Sequence, residues 1–331
     1  MISILTAKRF TSLKRSIFYL TSFFVHFIKK KYFLDFGSFL LILKYSGHPQ
    51  VVESLLRGLS LKKIEHNLNP KNNEELYPTV VVLSGFNELR EVINLKKLGK
   101  IKKIIAGPNI AIQPSEHGDL FGAPEIDVIL TASKWMSDFY ENDMPVLKGK
   151  VLSYPSGANL DYWRFHKNQK REIILIYVKQ HNINKKFKIK QYLNYLESLD
   201  IKYKIIYYGS YNQKQFRNLL HKSFLAIFFS MSESQGLALL QSWSADVPTL
   251  VFYNDLVKYK HYPDRKCETA PYLTKETGMY FLNFEDFKKK FEVINNISNN
   301  LNPSSWVEKN MTDEICAENL LKIASNIDNN K

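Results

Sequence analysis

The sequence predicts an α/β protein made of two Rossmann-like, doubly wound domains. Three observations carry that expectation. A chain of 331 residues exceeds what one hydrophobic core usually fills, so two domains are expected. Short apolar runs alternate with stretches of helical periodicity along most of the chain, which is the rhythm of βαβ units. The runs are continuously apolar rather than alternating, as at 173–178 and 224–229, which suits parallel strands covered on both faces.

In the first half, apolar runs at 39–43, 79–83, 104–105, 127–130 and 151–152 read as strands. Helical patterns lie between them at 51–61 and 132–141. The second half is clearer. A strand at 173–178 precedes a helix at 189–199, where Tyr192, Leu193, Tyr195, Leu196 and Leu199 stand near helical spacing. A strand at 203–208 ends at Gly209, a helix follows at 211–220, and a third strand runs over 224–230. Gly236 marks the start of a helix, Val247-Pro248 its end, and 249–253 the next strand. The tail at 306–327 reads as one helix. The polar, charged stretch 164–170 separates the domains, giving 1–165 and 166–331.

Composition narrows the class. At 45% hydrophobic and 24% charged, the chain is globular rather than disordered. Cys267 and Cys316 lie too far apart in sequence for a disulfide framework or metal spacing, so a reducing, cytoplasmic setting is the simplest reading. The net charge is +14, and residues 1–63 hold eleven Lys or Arg against two acids. Such charge attracts phosphate, on nucleic acid or on an anionic bilayer. The apolar segment 16–28 lies between Lys14-Arg15 and Lys29-Lys30-Lys31. It is shorter than the roughly 20 residues a spanning helix needs, and no small-residue cleavage site follows it. An amphipathic helix resting on the cytoplasmic face of a membrane is expected; a buried helix beside solvated lysines is the alternative. Basic charge without an aromatic-and-basic binding module argues against a nucleic-acid partner.

The chemistry concentrates in Ser230-Met-Ser-Glu-Ser-Gln-Gly-Leu237, which follows an apolar strand and opens a helix. Strand, polar turn, helix, strand is one unit of a parallel sheet. Ligands of such sheets bind at the carboxyl ends of the strands, where helix N-termini aim backbone N–H groups outward. Ser232, Glu233, Ser234, Gln235, Gly236 and Leu237 therefore stand where a nucleotide or sugar phosphate is held. Ser230-x-x-Glu233 and Ser232-x-x-Gln235 also fit capping boxes, and a cap and a ligand site share one helix end. On a helix, Gln241 is turned by only about 80° from Glu233, so both would reach one elongated ligand.

The stretch 230–251 resembles the donor-site signature of GT-B glycosyltransferases, above all glycosyltransferase family 4, which reads roughly S-x-x-E-G-F-G-L-x-x-x-E-A-M-A-x-G-x-P-V-V. Glu233 falls on the first acid, Gly236 on the second glycine and Pro248 on the proline. Gln241 replaces the second acid, and Asp246 replaces the glycine before the proline. Glutamine still accepts from and donates to ribose hydroxyls. The resemblance covers roughly 127–281 and is strongest over 230–251.

That resemblance implies two domains facing across a cleft, with the last helix crossing back to the first. It implies a nucleotide-diphosphate sugar in the second domain and a glycan or lipid-linked acceptor in the first. Lys179, after the strand 173–178, would clamp the diphosphate. Lys185 or Lys186 would supply a second lysine, although 180–188 departs from the usual G-R-L-x-x-x-K-G. Gly209 and Ser210 would face the base or the phosphates. Glu233 would hold the sugar and Gln241 the ribose. The segment ending at Asp161 resembles the hinge, and Ser133 resembles the N-cap after the last strand of the first domain. The segment 270–278 resembles the stretch where related enzymes close their sheet.

Acceptor-side candidates are His48 in 46–50, Asn109 in 106–109, and His117 with Glu116 and Asp119 in 114–119. His117 joins Glu233 and Lys179 as a catalytic candidate, because histidine exchanges protons near neutral pH. Family members retain anomeric configuration, and the departing phosphate assists the incoming hydroxyl. No metal or cofactor is expected, since no D-x-D-like pair follows a strand. An epimerase on the same fold and an inactive glycan-binding protein are the rival readings.

Overall fold

The fold comes from a computed structural model and is described for residues 1–7, 47–165, 170–179, 189–253 and 267–329. The apolar segment 16–28, the strand expected at 39–43, and Lys185 and Lys186 lie outside the described residues. Two compact units emerge. The first gathers residues 1–7, 48–157 and 313–329, and the second takes 158–312 as far as described.

The first unit holds a parallel sheet of six strands: β1 (Ile2–Leu5), β2 (His66–Leu68), β3 (Thr79–Val82), β4 (Lys103–Ala106), β5 (Val128–Thr131) and β6 (Val151–Ser153). Their spatial order is β2-β1-β3-β4-β5-β6. Alternation along each strand divides its side chains between two layers. Val80, Val82, Ile104 and Ile129 pack with Leu89 and Val92 of the helix Phe86–Lys97 and with Met136 and Tyr140 of the helix Lys134–Asp143. Ile4, Val81, Ile105 and Leu130 pack with Leu55 and Leu59 of the helix Gly47–Leu61 and with Ala317, Leu320 and Ala324 of the helix Asp313–Asn329. Gly58 makes that last approach possible, because a Cβ there would stand 2.1 Å from the Asp313 carbonyl oxygen.

The second unit holds five parallel strands: β7 (Ile173–Lys179), β8 (Tyr203–Tyr207), β9 (Ser223–Ser230), β10 (Thr249–Phe252) and β11 (Gly278–Phe281). Their order is β11-β10-β9-β7-β8. Ile174, Ile176, Val178, Ile227 and Phe229 pack with Tyr192 and Leu196 of the helix Lys190–Ser198 and with Phe287 and Phe291 of the helix Phe284–Ile297. The opposite face carries Tyr177, which lies against Phe228 and against Phe216 of the helix Gln213–His221.

Several expectations change. The tail is two helices, Pro303–Asn310 and Asp313–Asn329, parted at Met311-Thr312. Thr312 bridges Ala158 there, within the second unit. His48 lies in the first turn of a helix rather than in a loop; Pro49, next to it, is tolerated there because first-turn N–H groups lack helical partners. Ser133 holds the N-cap position before Lys134–Asp143, yet its hydroxyl makes no cap bond and is buried without a partner. β5 is also not the last strand of its sheet, because β6 pairs beyond it.

Candidate functional site

Pairing of β7 with β9 sets Lys179 opposite Ser230, two residues beyond the pair Tyr177 and Phe228. All four therefore share one face of the sheet. Tyr177 and Phe228 fill the apolar layer, and the polar pair emerges where the strands end. The chain then turns back over Lys179. The Ser230 hydroxyl donates to Glu233 Oε1 at 2.9 Å and to the Ser232 carbonyl at 3.1 Å. Lys179 Nζ donates to Glu233 Oε2 at 2.6 Å. The Glu233 N–H donates to the Glu268 carbonyl at 2.8 Å, which ties the turn to the segment after β10.

The Lys179 and Glu233 side chains are 13% and 9% exposed, so the ion pair is nearly withdrawn from water. Attraction in such a pair is largely offset by desolvation, while loss of one member leaves the other charge stranded. The Lys179 ammonium also stands 5.0 Å from the centre of the Tyr208 ring. Tyr177 is buried and Tyr211 half-buried, their ring centres 6.1 Å apart. Burial pushes both phenols well above their ordinary range; each lies near the other and near the Glu233 carboxylate. Both remain neutral at any ordinary pH.

Gly236 is the N-cap of the helix Leu237–Ser244, at φ +85°, with no side-chain cap. A glycine reaches this left-handed conformation without strain. Neither expected capping box forms, because Gly236 rather than Ser230 or Ser232 is the N-cap, and the Ser230 hydroxyl is turned to the Glu233 carboxylate. Glu233 also precedes the helix, so the 80° relation to Gln241, which assumes one continuous helix, does not apply. Gln241 sits in the second turn and is buried, as are Ser232 and Gln235; Ser234 is exposed and Leu237 half-buried.

Asp246 accounts for its own departure from the family pattern. It adopts φ +59°, the conformation the usual glycine would supply. Its Oδ1 accepts from the Ser304 N–H at 3.1 Å, at the start of Pro303–Asn310. Its carbonyl, with that of Ala245, accepts from the Arg171 guanidinium. A cation so placed suits the carboxyl end of a helix.

Gly209 follows β8 at φ +80°, and the Ser210 hydroxyl is engaged within its own turn, donating to the Tyr207 carbonyl at 2.6 Å. In the first unit, Asn109 donates its N–H to the Leu83 carbonyl at 3.0 Å, and its Nδ2 is buried without a partner. His117 stands at the non-helical kink between two 3-10 turns within Pro114–Gly122, its ring centre 3.7 Å from that of Phe86. The His48 side chain lies outside the described residues. Lys179, Glu233 and Ser230 are thus brought together in the second unit, and the acceptor-side candidates belong to the first. Ser230 as a carboxylate partner and Tyr208 beside the ammonium had no signal in the motif.

The chain is similar in structure to known glycosyltransferases. A glycosyltransferase from Rickettsia africae ESF-5 superposes with a TM-score of 0.54 at 13% identity, over 100% of this chain and 99% of that one. The lipopolysaccharide outer core galactosyltransferase WaaB gives 0.53 at 11% identity, over 85% of this chain and 96% of that one. The fold is GT-B. Accessory secretory proteins of Streptococcus pneumoniae give 0.52 at 12% identity, over 85% of this chain but only 58% of that one. No family model and no curated protein sequence matches the chain.

Proposed function

We propose that this protein is a retaining, metal-independent glycosyltransferase that moves a sugar from a nucleotide-diphosphate sugar to a glycan or lipid-linked acceptor. One observation carries the reading: Lys179 and Glu233 meet at 2.6 Å at the carboxyl ends of β7 and β9, beside the uncapped start of Leu237–Ser244. Cation, carboxylate and the first-turn N–H groups of a helix at strand ends suit a diphosphate joined to a sugar.

The residues would act as follows. An arriving diphosphate competes with Glu233 for the Lys179 ammonium. Glu233, still held by Ser230, then accepts from the sugar hydroxyls, and Gln241 serves the ribose. The bond between the anomeric carbon and the diphosphate oxygen breaks, and its electron pair leaves with the nucleoside diphosphate. Lys179 and the helix N–H groups stabilise that charge where it develops. The acceptor hydroxyl adds to the anomeric carbon from the same face, and its proton passes to the departing phosphate. His117, Asn109 and His48 are the acceptor-side candidates. The basic N-terminal segment would hold the protein at an anionic bilayer on the cytoplasmic face; among the described residues no helix is long and apolar enough to cross one.

Release of nucleoside diphosphate, measured with and without glycan acceptors and with EDTA, tests the proposal. Acceptor-dependent release that survives EDTA is expected. Altered nucleotide sugar without acceptor would indicate an epimerase, and EDTA-sensitive release would remove the metal-independent mechanism.

A further inference from the structure

We propose that the amino end of the first sheet is a docking surface for an anionic lipid bilayer. The inference rests on the bilayer partner named above and moves the contact from the basic N-terminal segment onto the folded first unit. All six strands of that sheet are parallel, so the turns that precede them emerge at one end. Backbone bonds keep the strand starts level. The Ile2 N–H donates to the Glu65 carbonyl at 3.2 Å, the Lys103 N–H to the Pro78 carbonyl at 3.0 Å and the Ile129 N–H to the Lys150 carbonyl at 2.8 Å. The turns before β2, β4 and β6, over 61–65, 97–103 and 145–150, carry eight lysines against one acid, Glu65.

Each of these turns joins an apolar tip to lysines. Leu61, Leu98 and Val146 are 56%, 70% and 64% exposed. One exposed apolar side chain means little, but one on each of three basic turns along the same edge marks a contact surface. Lys63, Lys100, Lys102 and Lys148 are exposed and Lys150 is half-buried, and none of the five forms an ion pair among the described residues. Two neighbours are already neutralised, Lys62 by Glu318 at 2.5 Å and Lys97 by Glu125 at 3.8 Å. Gly99 and Gly149 take φ +69° and +79°, and a Cβ at either would meet no atom within 4 Å, so both turns border open space. At about 4.8 Å per strand, the three turns span roughly 24 Å from β2 to β6. Lysines near an anionic membrane are drawn to its headgroups, and the attraction weakens with salt. Apolar tips between them enter the boundary with the acyl chains. A nucleic acid would engage the lysines and leave the tips in water, whereas a bilayer takes both.

Co-sedimentation of the full chain with lipid vesicles tests the surface, using phosphatidylcholine alone and an equimolar mixture with phosphatidylglycerol. Wild type is compared with K100E/K102E/K148E/K150E, L98S/V146S, K29E/K30E/K31E and K289E/K290E, each first shown by thermal melting to be folded. The last reverses two exposed lysines of the second unit. Wild type should sediment with the mixed vesicles only. The four-lysine variant should bind them at least a hundredfold more weakly, the size of several headgroup attractions lost together (roughly tenfold or less for each). L98S/V146S should bind roughly tenfold more weakly with the same salt dependence, because apolar contact and not charge is lost. K289E/K290E should match wild type. A four-lysine variant that binds as wild type does, or a K289E/K290E variant weakened equally, would overturn the docking surface. A loss confined to K29E/K30E/K31E would overturn it too, while keeping the bilayer as partner. Wild type that ignores the mixed vesicles, or that captures single-stranded RNA in their place, would instead overturn the bilayer reading itself.

Discussion

Lys179 and Ser230 grip different oxygens of the Glu233 carboxylate, and they do different work. Its Oε2 neutralises Lys179 at 2.6 Å, and its Oε1 is steadied by the Ser230 hydroxyl at 2.9 Å. Glu233→Gln keeps the shape and removes the charge, so binding and turnover should separate. Nucleoside diphosphate alone should bind at least as tightly as to wild type, because Lys179 no longer has a competing anion. Sugar transfer should fall roughly tenfold to hundredfold, the size of one charged hydrogen bond. Calorimetry and a steady-state assay read the two effects; a parallel loss of both would contradict the division of labour. At this scale the sequence marked Glu233 through its place after an apolar strand, and Lys179 through its place at the end of another. It did not show that they touch, because that contact depends on which strands are neighbours. β9 lies next to β7, with β8 on the far side, and chain order alone does not reveal this.

The helix Leu237–Ser244 is delimited by two residues with positive φ, Gly236 and Asp246. Gly236→Ala would place a Cβ 2.9 Å from Leu239 Cδ1 in a conformation that alanine resists, so a loss of about 1 kcal/mol in denaturant unfolding is expected. Asp246→Ala loses the bond to the Ser304 N–H and keeps the unfavourable φ, for a loss of about 1–2 kcal/mol. Asp246→Gly should recover part of that loss, because glycine accepts the backbone conformation freely. If Asp246→Gly were the less stable of the two, strain at this corner would be the wrong explanation. Elements with long apolar runs were legible in the sequence, as at β7 and β9. β1 and β2 were not: one is four residues at the chain start, the other the short His-Asn-Leu edge strand. The interruption of the tail at Met311-Thr312 was hidden too, since apolar spacing continues on both sides of it.

Across the molecule, the C-terminal helix Asp313–Asn329 returns to the first sheet and buries Cys316 there. Burial, then the neighbouring Asp313 carboxylate, pushes the Cys316 thiol from 9.0 up to about 12. The folded chain therefore keeps a proton that the unfolded chain releases, so stability is full below pH 9 and falls as pH rises toward 12. Cys267, raised by burial to about 11, acts in the same direction from the second unit. Cys316→Ala should flatten the fall in melting temperature between about pH 8.5 and 9.5, where the thiols titrate before the tyrosines. An unchanged slope would show that this thiol is not linked to folding. The whole-chain reading of two parallel α/β sheets came directly from periodicity, whereas the donor grip needed the strand order to be known. Calorimetric titration of a nucleoside diphosphate into wild-type and K179A protein tests that grip most directly. One binding event in the wild type, weakened tenfold or more in K179A, is expected from the loss of a charged contact. Equal affinities, or no binding to the wild type by any nucleoside diphosphate, would contradict it.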